Sequence, residues 1–321
     1  MAVGRCHFQT MDKLTLRAPA KLNLLLDITG KRLDGYHEVR MVMQTVSWYD
    51  VLRFEKTDRP GISFRVTDAS GKPLTEERSG IPWDERNLVL QAARLLSSDP
   101  ACFAGLSITL EKSIPSQAGL GGGSSDAAAA LLGINRLYEL GFSREVLAEK
   151  ALRLGADVPF FLYGGTCLAE GVGEKLTKLP DLELPHILIV KPKASLSTRL
   201  VYEYCDSLSE MDHPDVEGFV RALSAEDRPK DTFLTTICET MGNVMEAASF
   251  SICPEVRELR DTLLRLGAER AFMTGSGSAV FGVFRDSESL LRAMFSIRER
   301  VPFESISPVY TTEFGVEEID K

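Results

Sequence analysis

The sequence predicts an α+β fold in two domains. Three observations carry that reading. A chain of 321 residues with 44% hydrophobic content can bury two cores. Strand-like alternation dominates its first part, with helical periodicity entering later. A strand, Leu106 to Leu110, then runs directly into a glycine-rich loop and an alanine-rich helix.

In chain order, Leu14 to Ala18 alternates as a strand, and Leu22 to Ile28 reads as a second strand after the punctuation of Pro19. Between them, Lys21 and Asn23 lie two residues apart and share one face of extended chain, either as a solvated edge or as a functional pair. A turn at Asp34-Gly35 presents Tyr36 and His37, which suit a surface turn or the stacking of a flat heterocycle. Strands follow at Val39 to Val46, Val51 to Lys56 and Ile62 to Thr67, and Lys72 to Gly80 is a polar loop. Asn87 opens an amphipathic helix.

The stretch Pro115, Ser116, Gln117, Ala118, Gly119, Leu120, Gly121, Gly122, Gly123, Ser124, Ser125 then reads as an anion cradle. Glycines allow close backbone approach, and the following helix offers unpaired N–H groups and the positive end of its dipole. It is not a Walker loop, because no Lys-Ser or Lys-Thr follows Gly123. It is not a dinucleotide fingerprint, because Ser124 stands where glycine is needed, and the protein-kinase motifs are missing.

A helix ends near Gly141, and a second runs from a Ser143 cap to Gly155. Asp157 comes next, as a buried cap or a deliberately placed carboxylate. A short strand spans Thr166 to Glu170, and the domain boundary falls in the Pro180 to Pro185 linker, giving domains 1–180 and 181–321. The remainder alternates strand and helix: Ile187 to Lys191, a helix at Glu255 to Leu266, a second Gly-Ser loop at Met273 to Ser278, a strand from Ala279 to Phe284, a helix from Asp286 and a closing strand at Val309 to Phe314. The second loop is a plain turn or, if it faces the first, a closure over a ligand.

A net charge of -9 argues against a nucleic-acid partner. The six scattered cysteines form no Cys-x-x-Cys pair and read as free thiols of a reducing, cytoplasmic compartment. No apolar run is long enough to span a bilayer, and no membrane partner is expected.

Taken together, PAKLNLLLDITGKRLDGYHEV, IPSQAGLGGGSSDAAAALLGIN, LGADVPFFLYGG, EGVGE and MTGSGSAVF resemble the successive motifs of the GHMP kinase superfamily and, within it, of the 4-diphosphocytidyl-2-C-methyl-D-erythritol kinases. The resemblance spans Leu14 to Phe284. It implies a GHMP kinase fold with an N-terminal α/β domain holding the phosphate loop and a ferredoxin-like C-terminal domain. It also implies phosphoryl transfer from ATP to the 2-hydroxyl of a cytidine diphosphate-linked methylerythritol, a step of non-mevalonate isoprenoid precursor synthesis. By the same resemblance, Asp157 is the general base, Lys21 its partner, and Asn23, Tyr36, His37, Thr198 and Tyr202 contact substrate, with an aromatic on the far side of the cytosine from Tyr36 and His37. Asn87 lies near the adenine. Magnesium is implied with ATP; its protein ligand is unassigned, with Ser124 and Ser125 as candidates. Other superfamily kinases, for homoserine or mevalonate, and a catalytically silent ligand sensor are the rival readings.

Overall fold

The computed structural model describes residues 11–96, 105–226 and 230–319. Its first half is organised on a long hairpin, β1 (Lys13–Lys31) and β2 (His37–Lys56). Then come β3 (Ile62–Thr67), a turn of helix α1 (Glu76–Ser79), α2 (Leu88–Leu96), β4 (Leu106–Glu111), α3 (Gly122–Leu137), α4 (Arg144–Leu152), α5 (Val158–Tyr163), β5 (Thr166–Gly171) and β6 (Lys175–Lys178). β2 lies between β1 and β4 and also pairs with β5, all antiparallel, whereas β3 joins β4 in parallel.

Pro19 does not end a strand as its sequence context suggests. β1 runs straight through it, and the pairing with β2 shifts register between Pro19 and Ala20 and again between Asn23 and Leu25. The first shift leaves Ser47 and Trp48 of β2 opposite no residue of β1, the second leaves Leu24 of β1 unpaired, and across each the buried side chains change from one core to the other. Leu14, Leu16 and Ala18 accordingly pack into the core beneath α3, while Ala20, Leu22 and Leu24 pack into a second core with Ile189 and Phe281. After the second shift, Leu26 and Ile28 return to the first core. Between the shifts Lys21 and Asn23 therefore face the side of α3 and its preceding loop. The two register shifts thus bracket Lys21 and Asn23, which alternate with the apolar Ala20, Leu22 and Leu24. The buried alanines of α3, Ala127 to Ala130, let the helix lie close on the sheet.

The second half begins with β7 (Ile187–Lys191), followed by α6 (Thr198–Cys205), α7 (Val216–Ser224), α8 (Lys230–Thr240), β8 (Gly242–Asn243), α9 (Glu246–Ile252), α10 (Pro254–Arg265), β9 (Arg270–Met273), β10 (Val280–Val283), α11 (Ser287–Arg300), β11 (Ser305–Val309) and β12 (Glu317–Glu318). β7, β9, β10 and β11 form an antiparallel sheet in the order β11-β7-β10-β9. With α10 between β7 and β9 and α11 between β10 and β11, this is the split β-α-β arrangement of a ferredoxin-like domain. The chain also returns to the first sheet: β8 pairs in parallel, and β12 antiparallel, with β1. The closing strand therefore falls at Glu317–Glu318 rather than at Val309 to Phe314, whose residues make β11's end and a single bridge from Thr311 to Val46.

Cys167, Cys205, Cys238 and Cys253 are buried free thiols, while Cys6 and Cys102 lie outside the described residues. Among the described residues no helix is long and apolar enough to cross a membrane.

Candidate active site

The glycine loop turns into α3 at Gly121, which has φ 70°. A Cβ there would stand 2.6 Å from the Phe161 ring and 3.0 Å from Lys21 Cγ. Gly119, at φ 77°, is still more constrained, because a Cβ would lie 2.1 Å from the Thr274 carbonyl oxygen. The two Gly-Ser loops thus meet backbone to backbone: Ala279 N–H donates to Ala118 O at 3.2 Å, and Thr274 Oγ1 donates to Gly119 O at 3.3 Å. The second loop therefore faces the first rather than standing as a plain turn.

A cavity of about 330 Å³ lies over the first loop, lined by Pro115 to Ser124, Lys112, Asn87 and the Gly80 to Pro82 segment. Asn87 is the N-cap of α2. Its Oδ1 accepts from Val89 N–H at 2.8 Å and its Nδ2 donates to Pro82 O at 2.7 Å, so it ties two walls of this cavity together. Ser124 lines the cavity, but Ser125 is fully buried and its hydroxyl has no partner.

Beneath the loop lies a buried charge cluster that sequence reasoning missed. Lys112 Nζ is 2.5 Å from Asp50 and 2.9 Å from Asp126. Asp50 Oδ1 also accepts from the backbone N–H groups of Ser113 at 2.6 Å and Ile114 at 2.9 Å, fixing the chain as it enters the loop. Burial pushes the Asp126 carboxyl up to about 8, against the pull of Lys112 and with the push of Asp50. Burial would lower the Lys112 pKa, but the two carboxylates outweigh it and raise it. The only hint in sequence is a charge at the end of each of two apolar strands. Asp50→Ala removes an acceptor from two buried amides and a counter-charge from Lys112. It is expected to cost about 3 to 5 kcal/mol of stability, measured by urea unfolding; a loss below about 1 kcal/mol would contradict the assigned role.

A second cavity, about 240 Å³, adjoins the loop from the other side and is lined by Lys21, Asn23, Asp157, Thr198, Tyr202, Gly275 and Ser276 among others. Asp157 occupies the N-cap position of α5 yet makes no side-chain cap bond. Its carboxylate instead lies 3.6 Å from Lys21 Nζ, and it keeps 31% side-chain exposure. Lys21 is almost fully buried and also bonds the Asn23 side-chain oxygen. Its own N–H donates to Leu120 O at 2.9 Å, which anchors the lysine strand to the glycine loop. Asn23 N–H in turn donates to Thr274 Oγ1 at 3.0 Å. Both loops and the Lys21 strand therefore converge on one point facing Asp157.

At the far end of this cleft His37 stacks on Tyr202, with ring centroids 4.6 Å apart and planes 24° from parallel. The rings leave no gap for a heterocycle, which needs roughly 3.5 Å on each face. Tyr36 is 65% exposed beside them. Thr198 shares a hydrogen bond of 2.8 Å with Ser276. Burial, with a smaller contribution from Asp157, pushes the Tyr202 phenol up to about 12 and keeps it neutral. Asp206, unmarked in the sequence, accepts from His37 Nε2 at 2.7 Å and from Lys31 Nζ at 2.5 Å. These two bonds, His37 first, lower its carboxyl below the usual range.

Comparison with known proteins bears on both halves. Residues 87–165 match the GHMP kinases N terminal domain and residues 231–301 the GHMP kinases C terminal domain. The chain is 41% identical over 303 residues to a 4-diphosphocytidyl-2-C-methyl-D-erythritol kinase of Lachnospira eligens, an alignment covering 94% of this chain and 99% of that one. It is 41% identical over 287 residues to the same-named kinase of Syntrophomonas wolfei, covering 89% and 95%. A crystal structure of 4-(cytidine 5'-diphospho)-2C-methyl-D-erythritol kinase superposes with a TM-score of 0.74 at 32% identity, covering 93% of this chain and 99% of that one. Homoserine kinase from Cytophaga hutchinsonii superposes with a TM-score of 0.72 at 20% identity, over 98% of this chain and 100% of that one, and shares the fold. With a glycine loop turning into α3, a second loop packed on it and relatives matched over most of their length at this identity, the chain belongs to the GHMP kinases, in the 4-diphosphocytidyl-2-C-methyl-D-erythritol kinase family.

Proposed function

We propose that this cleft transfers the γ-phosphoryl group of ATP to the 2-hydroxyl of 4-diphosphocytidyl-2-C-methyl-D-erythritol. One observation carries the catalytic assignment: Asp157 stands at a helix cap without capping it and faces Lys21 instead. A carboxylate released from structural duty, partly exposed in a cleft beside a buried cation, suits proton abstraction from an alcohol. The hydroxyl oxygen attacks the γ-phosphorus as the bond to the β-phosphate oxygen breaks. Its proton passes to Asp157, and ADP leaves. Lys21 offsets the negative charge that moves across the transferring group, and the loop N–H groups hold the remaining phosphates.

Among the described residues no three His, Cys, Asp or Glu side chains form a metal cluster. Magnesium carried in by the nucleotide would be held mostly by phosphate oxygens and water, with the Ser124 hydroxyl, which lines the cavity, as a protein donor. Bound there, the ion would neutralise β- and γ-oxygens. Asn87 sits at the wall where the base of the nucleotide would lie. In this reading residues 1–180 supply the nucleotide cradle, Lys21 and Asp157, and residues 181–321 close the cleft with Thr198, Tyr202 and the second loop.

The cytidyl group fits the His37 and Tyr202 end, entering as those two rings part, with Tyr36 free to cover it and Asn23 near the methylerythritol. His37→Ala is expected to raise KM for the cytidyl substrate roughly tenfold while leaving KM for ATP within about twofold. Steady-state kinetics with each substrate varied checks this. An unchanged cytidyl KM would remove His37 from the site.

A further inference from the structure

The second Gly-Ser loop touches the nucleotide cradle and the Lys21 strand at once, yet its support comes from residues outside every motif named above. Asn243 is buried in β8, opposite Leu26 of β1 and so on the strand that carries Lys21 and Asn23. Its Nδ2 donates to the carbonyl oxygens of Met273 and Gly275, both at 2.8 Å, and its Oδ1 accepts from Met245 N–H at 3.0 Å. These partners admit a single orientation of the amide, with two donor sites meeting two carbonyls and an acceptor meeting an N–H. One turn later, Glu246 Oε1 accepts from Met273 N–H at 2.7 Å. Met273 is thus gripped at its N–H and its C=O, and Gly275 at its C=O.

We propose that Asn243 and Glu246 are positioning residues that set the height of the Met273–Ser278 loop over the phosphate cradle, and with it the alignment of phosphoryl donor and alcohol. This rests on the reading of the cleft as a phosphoryl-transfer site. The residue between the two gripped carbonyls is Thr274, whose single hydroxyl accepts from Asn23 N–H and donates to Gly119 O. That hydroxyl bridges strand and cradle only while the loop sits at one height. Gly275 and Ser276, the next residues, line the acceptor cavity with Lys21 and Asp157. A shift of the loop therefore moves the cradle contact, the strand contact and the cavity wall together. Burial pushes the Glu246 carboxyl up to about 7, against the opposing influence of the Met273 N–H and of Arg260, whose Nη1 is 3.9 Å away. A carboxyl kept at such a buried place to receive one backbone N–H is consistent with the demand for loop placement.

The test uses Asn243→Asp, Glu246→Ala and Glu246→Gln in the full chain. Asn243→Asp keeps the shape and the acceptor toward Met245 but sets an oxygen against two carbonyls. Glu246→Gln keeps an oxygen acceptor for Met273. Expected for Asn243→Asp and Glu246→Ala is a 10- to 100-fold fall in kcat with both KM values within about threefold, as misplacement of about 1 Å can produce. Glu246→Gln is expected to stay within about threefold of wild type. Hydrogen exchange of the Thr274 to Ser278 amides should quicken at least tenfold in the first two variants and not in the third. A purely structural role would lower Tm while leaving kcat per folded molecule unchanged, and that result overturns the proposal. If Asn243→Asp does not fold, the contrast between Glu246→Ala and Glu246→Gln decides. A wild-type enzyme inactive on the cytidyl alcohol would defeat the reaction assignment, while the exchange data would still report on loop placement.

Discussion

Asp157→Asn is expected to leave ATP binding intact and to slow turnover by roughly 10² to 10⁴. The size follows from the chemistry asked of this group. Asparagine matches the carboxylate in shape, so the Asp157 position at the start of α5 and the approach of Lys21 are preserved. It cannot take the proton of the attacking hydroxyl, which must then go to water or the phosphoryl oxygens. The cavity proposed for the nucleotide, lined by Pro115 to Ser124, lies on the other side of the glycine loop and should not sense the change. Nucleotide affinity and single-turnover rates, measured on one preparation, separate the two effects. Near-normal turnover would falsify the role given to Asp157.

Gly119→Ala is expected to cost roughly 2 to 5 kcal/mol of stability, combining the strain of a left-handed alanine with forced separation of packed groups. The added methyl carbon would lie 2.1 Å from the Thr274 carbonyl oxygen and 3.3 Å from that of Gly277. Neither neighbour is a flexible side chain. The two loops must part, breaking the bonds from Thr274 to Gly119 and from Ala279 to Ala118. ATP affinity should fall with stability. Gly123→Ala is the matched control, because its methyl would meet nothing nearer than Leu88 Cδ1 at 3.9 Å and its backbone has no positive φ. Comparable unfolding midpoints in urea for the two variants would show that the loop junction is not rigid.

The sequence made legible whatever is local. A glycine loop before a helix, a cap-position aspartate after Gly155 and a helix capped by Ser143 each depend on neighbours within a few residues, and the structure keeps all three. Hydrophobic alternation likewise located β1 and β2, but not that each is one continuous strand. Pro19 looked like punctuation because proline lacks a ladder donor, and tertiary packing absorbed it as a register shift. That shift is what aims Lys21 and Asn23 at the cleft.

What stayed hidden depends on long-range pairing. Asp206 is 169 residues from His37, and Asn243 is 30 residues from the Met273 carbonyl it holds. A polar residue in a helical or short-strand context carries no local sign of such a partner. The Asp50, Lys112 and Asp126 cluster was hidden for the same reason, since each charge looks solvated until the sheet closes over it. Tyr202 was placed by resemblance on the far side of a base, whereas in the structure its ring packs on His37 directly. The cleft is thus self-filled at one end.

The measurement that tests the central claim most directly is ADP release with magnesium-ATP and four acceptors in parallel: 4-diphosphocytidyl-2-C-methyl-D-erythritol, the same compound without its cytidyl group, homoserine and mevalonate. Turnover of the first alone is expected if, as proposed, Asp157 and Lys21 supply the chemistry and the His37 and Tyr202 end reads the cytidyl group. Turnover of homoserine or mevalonate, or of no acceptor while ATP still binds, would contradict it.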